Sequence, residues 1–307
     1  MKSFIRQAFL FLLPIAVVVV IGEAVLRRIS SDLSYKKEYL NAHASEIETL
    51  ILGSSHSYFG IDPAYFSSNA FNAACVSQSP NYDFAILREY EQQLTQLKTI
   101  ILPISYSTPW ADLLQGGDSF RVTYYRTLFG IRFPDVSLKY NFYILSNTPK
   151  ANMSRVLTYL KGNSVQCSPL GWMTTYHSSE AQDLEETGLT AAARHTRLHD
   201  ALRQRIYEKN VDFVDSIIGI AERHDARVLL FTPPAYSTYR KHVDSEQLRV
   251  MQETAERWAA RSTNCTYVDL FADPRFVAGD YYDADHLSEI GAKKLSLLLD
   301  SLATSHP

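Results

Sequence analysis

The sequence predicts an α/β fold, a three-layer α/β/α sandwich around a central, mainly parallel sheet. Two patterns predict it. Short apolar runs of strand length recur at "TLILG" (49–53), "TIILPI" (99–104), "RVLLFT" (227–232) and "TYVDL" (266–270). Such near-continuous runs suit strands buried on both faces. Amphipathic segments of helix length separate them, and strand–helix alternation is the pattern of parallel sheets covered by helices. The 307 residues allow one large domain, or one domain with an insertion.

In chain order, Ala8–Gly22 is an uncharged apolar run, "AFLFLLPIAVVVVIG", which extends to Leu26 if Glu23 lies near an interface. That approaches the ~20 residues needed to cross a bilayer. A signal-peptide core would be shorter and end at small residues, whereas this run ends in "EAVLRR". The first 28 residues are therefore expected to be a cytoplasmic tip and uncleaved transmembrane anchor. A cleaved signal and a buried helix are the alternatives. Lys2 and Arg6 precede the run and Arg27, Arg28, Lys36 and Lys37 follow it, so charge bias does not set the orientation. Residues 29–48 form a polar, partly helical stem.

The domain proper is expected over 49–305. After the first strand, "AFNAA" (70–74) suits a short strand. "NYDFAILREYEQQLTQL" (81–97) reads as a helix, with Phe84, Leu87 and Leu94 on one face and Asn81 as its cap. Later helices place Phe213, Val214, Ile217, Ile218 and Ala221 on one face, then Leu248, Met251, Ala255 and Trp258. The closing helix presents Leu295, Leu298, Leu299 and Leu302. Residues 110–195 interrupt this rhythm and are rich in aromatics, from Trp110 to Tyr176. They are expected to form an insertion or lid, whose aromatics either make its own core or stack on sugar rings.

The net charge of −3 gives no electrostatic case for nucleic acid, which calls for a basic excess. Cys75, Cys167 and Cys265 allow at most one internal bridge and contain no CxxC metal pair. Asn264-Cys265-Thr266 matches a glycosylation sequon, which has meaning only in a eukaryotic secretory context.

Chemistry is expected at the carboxyl ends of the strands. Gly53-Ser54-Ser55-His56 follows the first strand there. A serine hydroxyl becomes a nucleophile only with a base, an orienting group for the base and oxyanion donors; otherwise this is a polar turn. Near the other end, "GDYYDADHLSEIGAKKLS" (279–296) places Asp283 three residues before His286. That spacing lets the carboxylate hold Nδ1–H and leaves Nε2 to accept a proton. Asp285 is the alternative partner. Asp283, Asp285 and His286 also form a candidate metal cluster, although no second histidine is nearby in sequence and borderline metals favour more nitrogen or sulfur.

These two blocks together resemble the SGNH/GDSL hydrolase superfamily, in particular its membrane-anchored bacterial members related to cell-surface polysaccharide acetylation proteins. The resemblance covers roughly 48–107 and 205–302. It implies a flavodoxin-like sheet, Ser55 as nucleophile, His286 as base, Asp283 as its orienting acid, and neither metal nor other cofactor. Ser54 stands where the family has aspartate. The oxyanion block maps to "FNAACVSQSPNYD", with Ser77 at the family's glycine and Asn72 and Gln78 as side-chain donors. The family's third-block asparagine has no counterpart in Ser105-Tyr106-Ser107-Thr108, so Asn72, Gln78 or Tyr106 would replace it. Tyr236, in "FTPPAYSTY", would line the pocket or sit on a rigid loop. His56 is expected to pack or touch substrate, and His177, His195, His199, His224 and His242 to have solvent or packing roles.

The implied activity is an esterase acting on acyl, chiefly O-acetyl, esters of envelope or extracellular polysaccharide through an acyl-serine. An O-acetyltransferase with the same triad, or a non-catalytic glycan- or partner-binding protein, are the alternatives. Partners would be the acylated glycan and the inner membrane, with the C-terminal domain extracytoplasmic.

Overall fold

The computed structural model describes residues 1–197 and 201–304; His199 and the expected boundary at 305 lie outside them. The chain divides into two compact units. The larger comprises 38–116 and 167–307, and the smaller 1–37 and 117–166. The aromatic block at 110–195 is therefore shared between them.

In the larger unit, β1 (Thr49–Ile51), β2 (Ala70–Asn72), β3 (Thr99–Pro103), β4 (Arg227–Thr232) and β5 (Cys265–Asp269) form one sheet in the order β2-β1-β3-β4-β5. Every pairing is parallel. This is the expected doubly wound arrangement, and its order reverses between β1 and β3, where the ends of the strands leave a crevice. The residues of β1 and β3 are all buried, which explains their unbroken apolar runs.

Strand parity sends alternate side chains to opposite layers. Ile51, Ile101, Leu229 and Phe231 join Leu295 and Leu299 in one cluster; these leucines belong to the last helix (Glu289–Thr304). On the other side lie three more helices. Pro80–Tyr90 buries Ile86 and Leu87, Ala201–Arg223 buries Val214 and Ile217, and Ser245–Arg261 buries Met251, Ala255 and Trp258. The first of these is shorter than the 81–97 expected. Pro80 supplies the preset φ of a first helical residue, Ser79 is the cap rather than Asn81, and the helix ends at Tyr90.

The helices are α1 (Lys2–Arg28), α2 (Asp32–His43), α3 (Ser55–Gly60), α4 (Pro80–Tyr90), α5 (Val122–Leu128), α6 (Tyr143–Ser146), α7 (Pro149–Leu160), α8 (Leu184–His195), α9 (Ala201–Arg223), α10 (Ser237–His242), α11 (Ser245–Arg261) and α12 (Glu289–Thr304). In the smaller unit, α1 is long and apolar enough to cross a membrane. Tyr124, Tyr125, Phe129, Tyr140 and Tyr143 of this unit are buried. None of Cys75, Cys167 and Cys265 is in a disulfide.

A short antiparallel ribbon, β6 (Tyr281–Asp283) with β7 (His286–Leu287), precedes α12. Sequence periodicity gave no sign of it, because each strand is too short to show alternation.

Candidate active site

The turn after β1 is held by its backbone. Gly53 has φ +108°, a region L side chains rarely adopt. A Cβ there would overlap the Pro103 ring of β3, so glycine is required twice over. The Gly53 N–H donates to Asp83 Oδ1 (2.7 Å), and the Gln78 Nε2–H donates to the same oxygen (2.6 Å). Burial pushes the Asp83 carboxyl up to about 7, against the pull of these two hydrogen bonds. Ser54 then caps α3 and Ser55 is its first residue. The N–H of a first helical residue has no partner within its helix.

The β6–β7 ribbon sets the base. Asp283 and His286 are cross-strand partners, joined through Ala284 and Asp285. Asp283 Oδ1 accepts the N–H groups of Asp285 and His286, each at 2.8 Å, which fixes the carboxylate. Both of its oxygens lie 3.1 Å from His286 Nδ1. On the other side of the ring, His286 Nε2 is 2.8 Å from Ser55 Oγ. A continuous relay Ser55–His286–Asp283 thus joins the first strand of the domain to its last ribbon.

Burial favours the neutral imidazole, but Asp283, by charge and hydrogen bond, and then Asp285 outweigh it and raise His286 to about 9. Asp283 moves the opposite way. Burial would raise it, yet the charge and hydrogen bond of His286 hold it below the ordinary carboxylate range.

Asp285 is a second buried carboxylate beside the relay. Its Oδ1 lies 3.2 Å from His56 Nε2, and its Oδ2 lies 3.5 Å from His195 Nδ1. Burial acts to raise it, but the surrounding imidazoles keep it well below the usual range. His56 Nδ1 is 3.3 Å from Ser54 Oγ, and the His56 and His286 rings stack at 5.1 Å. His195 Nε2 accepts from Arg194 Nε–H, and its Nδ1 faces Tyr239 Oη at 3.0 Å. Burial pushes His195 down to about 4, so it is neutral at physiological pH. Tyr176 packs edge-on to His286 and stacks on Phe59.

The other expected residues occupy different places. The Asn72 amide donates to the carbonyls of Ser57 and Ile61 and accepts from Ala74 N–H, so it braces the end of α3. Gln78 serves Asp83, as above. Tyr106 Oη pairs with Thr196 Oγ1 and accepts from Asp244 N–H, while its ring lines a small cavity with His56 and Asp285. Tyr236 packs edge-on to Tyr281, and its N–H donates to Ala284 O. Ser77, at the glycine position, has φ 59°. It adopts the left-handed backbone that favours glycine.

Sequence reasoning did not find Asp83, nor the partnership of Asp285 with His56 and His195. Asp285 meets its histidines across large separations, and the bond of Asp83 to Gly53 spans 30 residues.

His56, Asp285 and His286 bring ligand atoms within 4.8 Å of one another. His286 Nε2 already faces Ser55 Oγ and its Nδ1 faces Asp283, so a metal held by His286 would displace one side of the relay. A separate cavity of about 320 Å³ adjoins Asp283 and is lined by Gln182, Thr187, Thr190 and Arg194 among others.

No family model matches the chain, and no curated protein matches it. A Streptococcus pneumonia protein provisionally called a platelet activating factor aligns at 10% identity and TM-score 0.43, covering 96% of this chain and 98% of that one. A protein from Bacteroides fragilis NCTC 9343, provisionally called an acylhydrolase, aligns at 10% identity and TM-score 0.39, covering 86% and 93%.

Proposed function

We propose that this protein is a serine hydrolase of SGNH type that cleaves or transfers acyl groups through an acyl-enzyme at Ser55. The observation that carries the reading is the unbroken Ser55–His286–Asp283 relay, at 2.8 Å and 3.1 Å. Ser55 Oγ attacks the acyl carbon while its proton passes to His286 Nε2. Asp283 keeps the Nδ1–H tautomer in place and stabilises the imidazolium. Collapse of the tetrahedral intermediate returns that proton to the leaving alcohol. Water, or an acceptor hydroxyl, then attacks acyl-Ser55 as His286 takes its proton, and that proton returns to Ser55 Oγ as the acyl–serine bond breaks.

Backbone donors replace the asparagine amide that has no counterpart in Ser105–Thr108. The Ser55 N–H lies beside its own hydroxyl. Ser77 has the left-handed backbone, φ 59°, that suits the family's glycine at this position. Asn72 spends both amide hydrogens on the scaffold and Gln78 spends one on Asp83, so both hold the turn.

The substrate is an O-acyl, chiefly O-acetyl, ester of an envelope or extracellular polysaccharide, and α1 keeps the enzyme at the inner membrane with the larger unit outside. The polar cavity beside Asp283 suits a hydroxyl-rich group. The test is acetate release from acetylated xylo-oligosaccharide and from 4-nitrophenyl acetate, with Ser55→Ala as the blank. Release that the variant abolishes supports the esterase. An acetyl mass appearing on added unmodified oligosaccharide makes it a transferase. Equal release by enzyme and variant refutes the acyl-serine.

A further inference from the structure

We infer that residues 138–161 of the smaller unit are a second membrane contact, lying along the bilayer surface where α1 leaves it. The inference rests on the reading of α1 as a membrane span and extends it to a segment expected to be part of a lid.

The first observation is an exposed apolar face. On α7, Met153, Leu157 and Leu160 recur at helical spacing and are 60%, 51% and 72% exposed. Packing falls away from that stripe. Asn152 is buried, and the Arg155 guanidinium lies over the Tyr124 and Tyr143 rings. Leu138, Phe142 and Leu145 in the preceding stretch are also exposed. Exposed apolar residues in such a contiguous run mark an interaction surface.

The second observation is where this segment is tied. Glu23 Oε2 accepts the Ile144 N–H at 3.0 Å, Arg27 Nη2 donates to Asn141 O at 2.6 Å, and Arg155 Nη2 donates to Ile29 O at 3.1 Å. All three ties fall at residues 23–29, directly after the uncharged run that ends at Gly22. At 1.5 Å per residue the helix from Ala8 to Leu26, which extends the uncharged run past the first tied residue, Glu23, is roughly 28 Å long, close to the thickness of a bilayer's hydrocarbon core. A membrane crossed by that run has its surface at the level of these ties.

The third observation is charge. Residues 138–161 contain Lys139, Lys150, Arg155 and Lys161 and no acidic residue. Lys150 and Lys161 fall on the same flank of the apolar stripe when drawn at 100° per residue. An apolar face edged by lysines fits the boundary between acyl chains and anionic headgroups. A soluble sugar would leave the leucines in water.

The test uses the full chain with Cys167→Ser, reconstituted in phosphatidylcholine/phosphatidylglycerol vesicles. An NBD fluorophore is attached at Leu157→Cys, or at Val18→Cys in the middle of α1. Nitroxide lipids labelled at a shallow or a deep acyl position serve as quenchers, and aqueous iodide as the opposite probe. The inference expects Leu157→Cys to be quenched by the shallow nitroxide more than by iodide, and Val18→Cys by the deep one. Quenching at Val18→Cys with Leu157→Cys open to iodide overturns the inference and leaves the span standing. Failure of both positions to meet lipid overturns both. Leu157→Cys shielded from lipid and iodide alike means that another protein surface covers the stripe, and also overturns the inference.

Discussion

Asp283→Asn separates the electronic role of this carboxylate from its structural one. Oδ1 accepts two backbone N–H groups, so the asparagine oxygen takes that place and the ribbon keeps its shape. The amide NH2 then falls where Oδ2 stood, 3.1 Å from His286 Nδ1. Oδ1 is equally 3.1 Å from Nδ1, but an amide oxygen already accepting two N–H groups has no lone pair left for a third, so the NH2 is what meets Nδ1, which gives up its hydrogen and accepts from it. The ring proton moves to Nε2, which faces Ser55 Oγ as a donor and can no longer take its proton. Reversing the tautomer in a comparable serine relay costs about 10⁴-fold in turnover, equivalent to ~5.4 kcal/mol of barrier at 1.36 kcal/mol per tenfold. Steady-state turnover of 4-nitrophenyl acetate at saturating substrate measures it, with thermal melting as the control. The reasoning expects a loss of that order in kcat with a melting temperature close to that of the parent. A variant within tenfold of the parent refutes the assignment of Asp283 as the orienting acid.

Three further outcomes follow from the same geometry. His286 must be neutral to accept the Ser55 proton, and its pKa is raised to about 9, so kcat/KM climbs from neutral into alkaline pH. Asp285→Asn removes one of the charges that raise His286, moving that limb toward acid, and a pH–rate profile with an unmoved limb contradicts this. Asp83 holds its proton in the folded state up to about 7 but loses it near 3.8 when unfolded. Stability at this position is therefore present at low pH and lost as pH rises through 7. Asp83→Asn keeps both bonds to Oδ1 and removes the buried charge. It stabilises the protein above pH 7 by at most ~4 kcal/mol, read as a flattened dependence of melting temperature on pH, and equal pH slopes in both proteins count against the buried charge. Gly53→Ala combines a strained backbone with overlap against Pro103 and costs ~3 kcal/mol or more in denaturant unfolding; a cost under ~1 kcal/mol contradicts the fixed turn.

What could be read from the sequence follows from the range of the interactions. The strands were legible because burial on both faces removes polar residues from them, as in "TIILPI" and "RVLLFT". The Asp283–His286 pair was legible because a three-residue spacing is local. Interactions across the chain were not. Asp285 meets His56 from 229 positions away, and its contact with His195 joins a ribbon to the end of α8. His195 offered no pattern of its own. The uses of Asn72 and Gln78 were hidden for the same reason. A side-chain amide near a nucleophile reads as an oxyanion donor, and only the folded chain reveals that carbonyls of α3 and the Asp83 carboxylate already occupy it. In the block at 110–195, aromatics stand on both sides of 117 and of 167, so composition marked neither change of unit.

The most direct test of the account is whether Ser55 is chemically activated. The full chain in detergent is treated with a fluorophosphonate probe, and the modified residue is located by peptide mass spectrometry. The account predicts labelling at Ser55 that is lost in Ser55→Ala and strongly slowed in His286→Ala. Labelling of another residue, or no labelling of folded protein under conditions that label a known serine hydrolase, contradicts it.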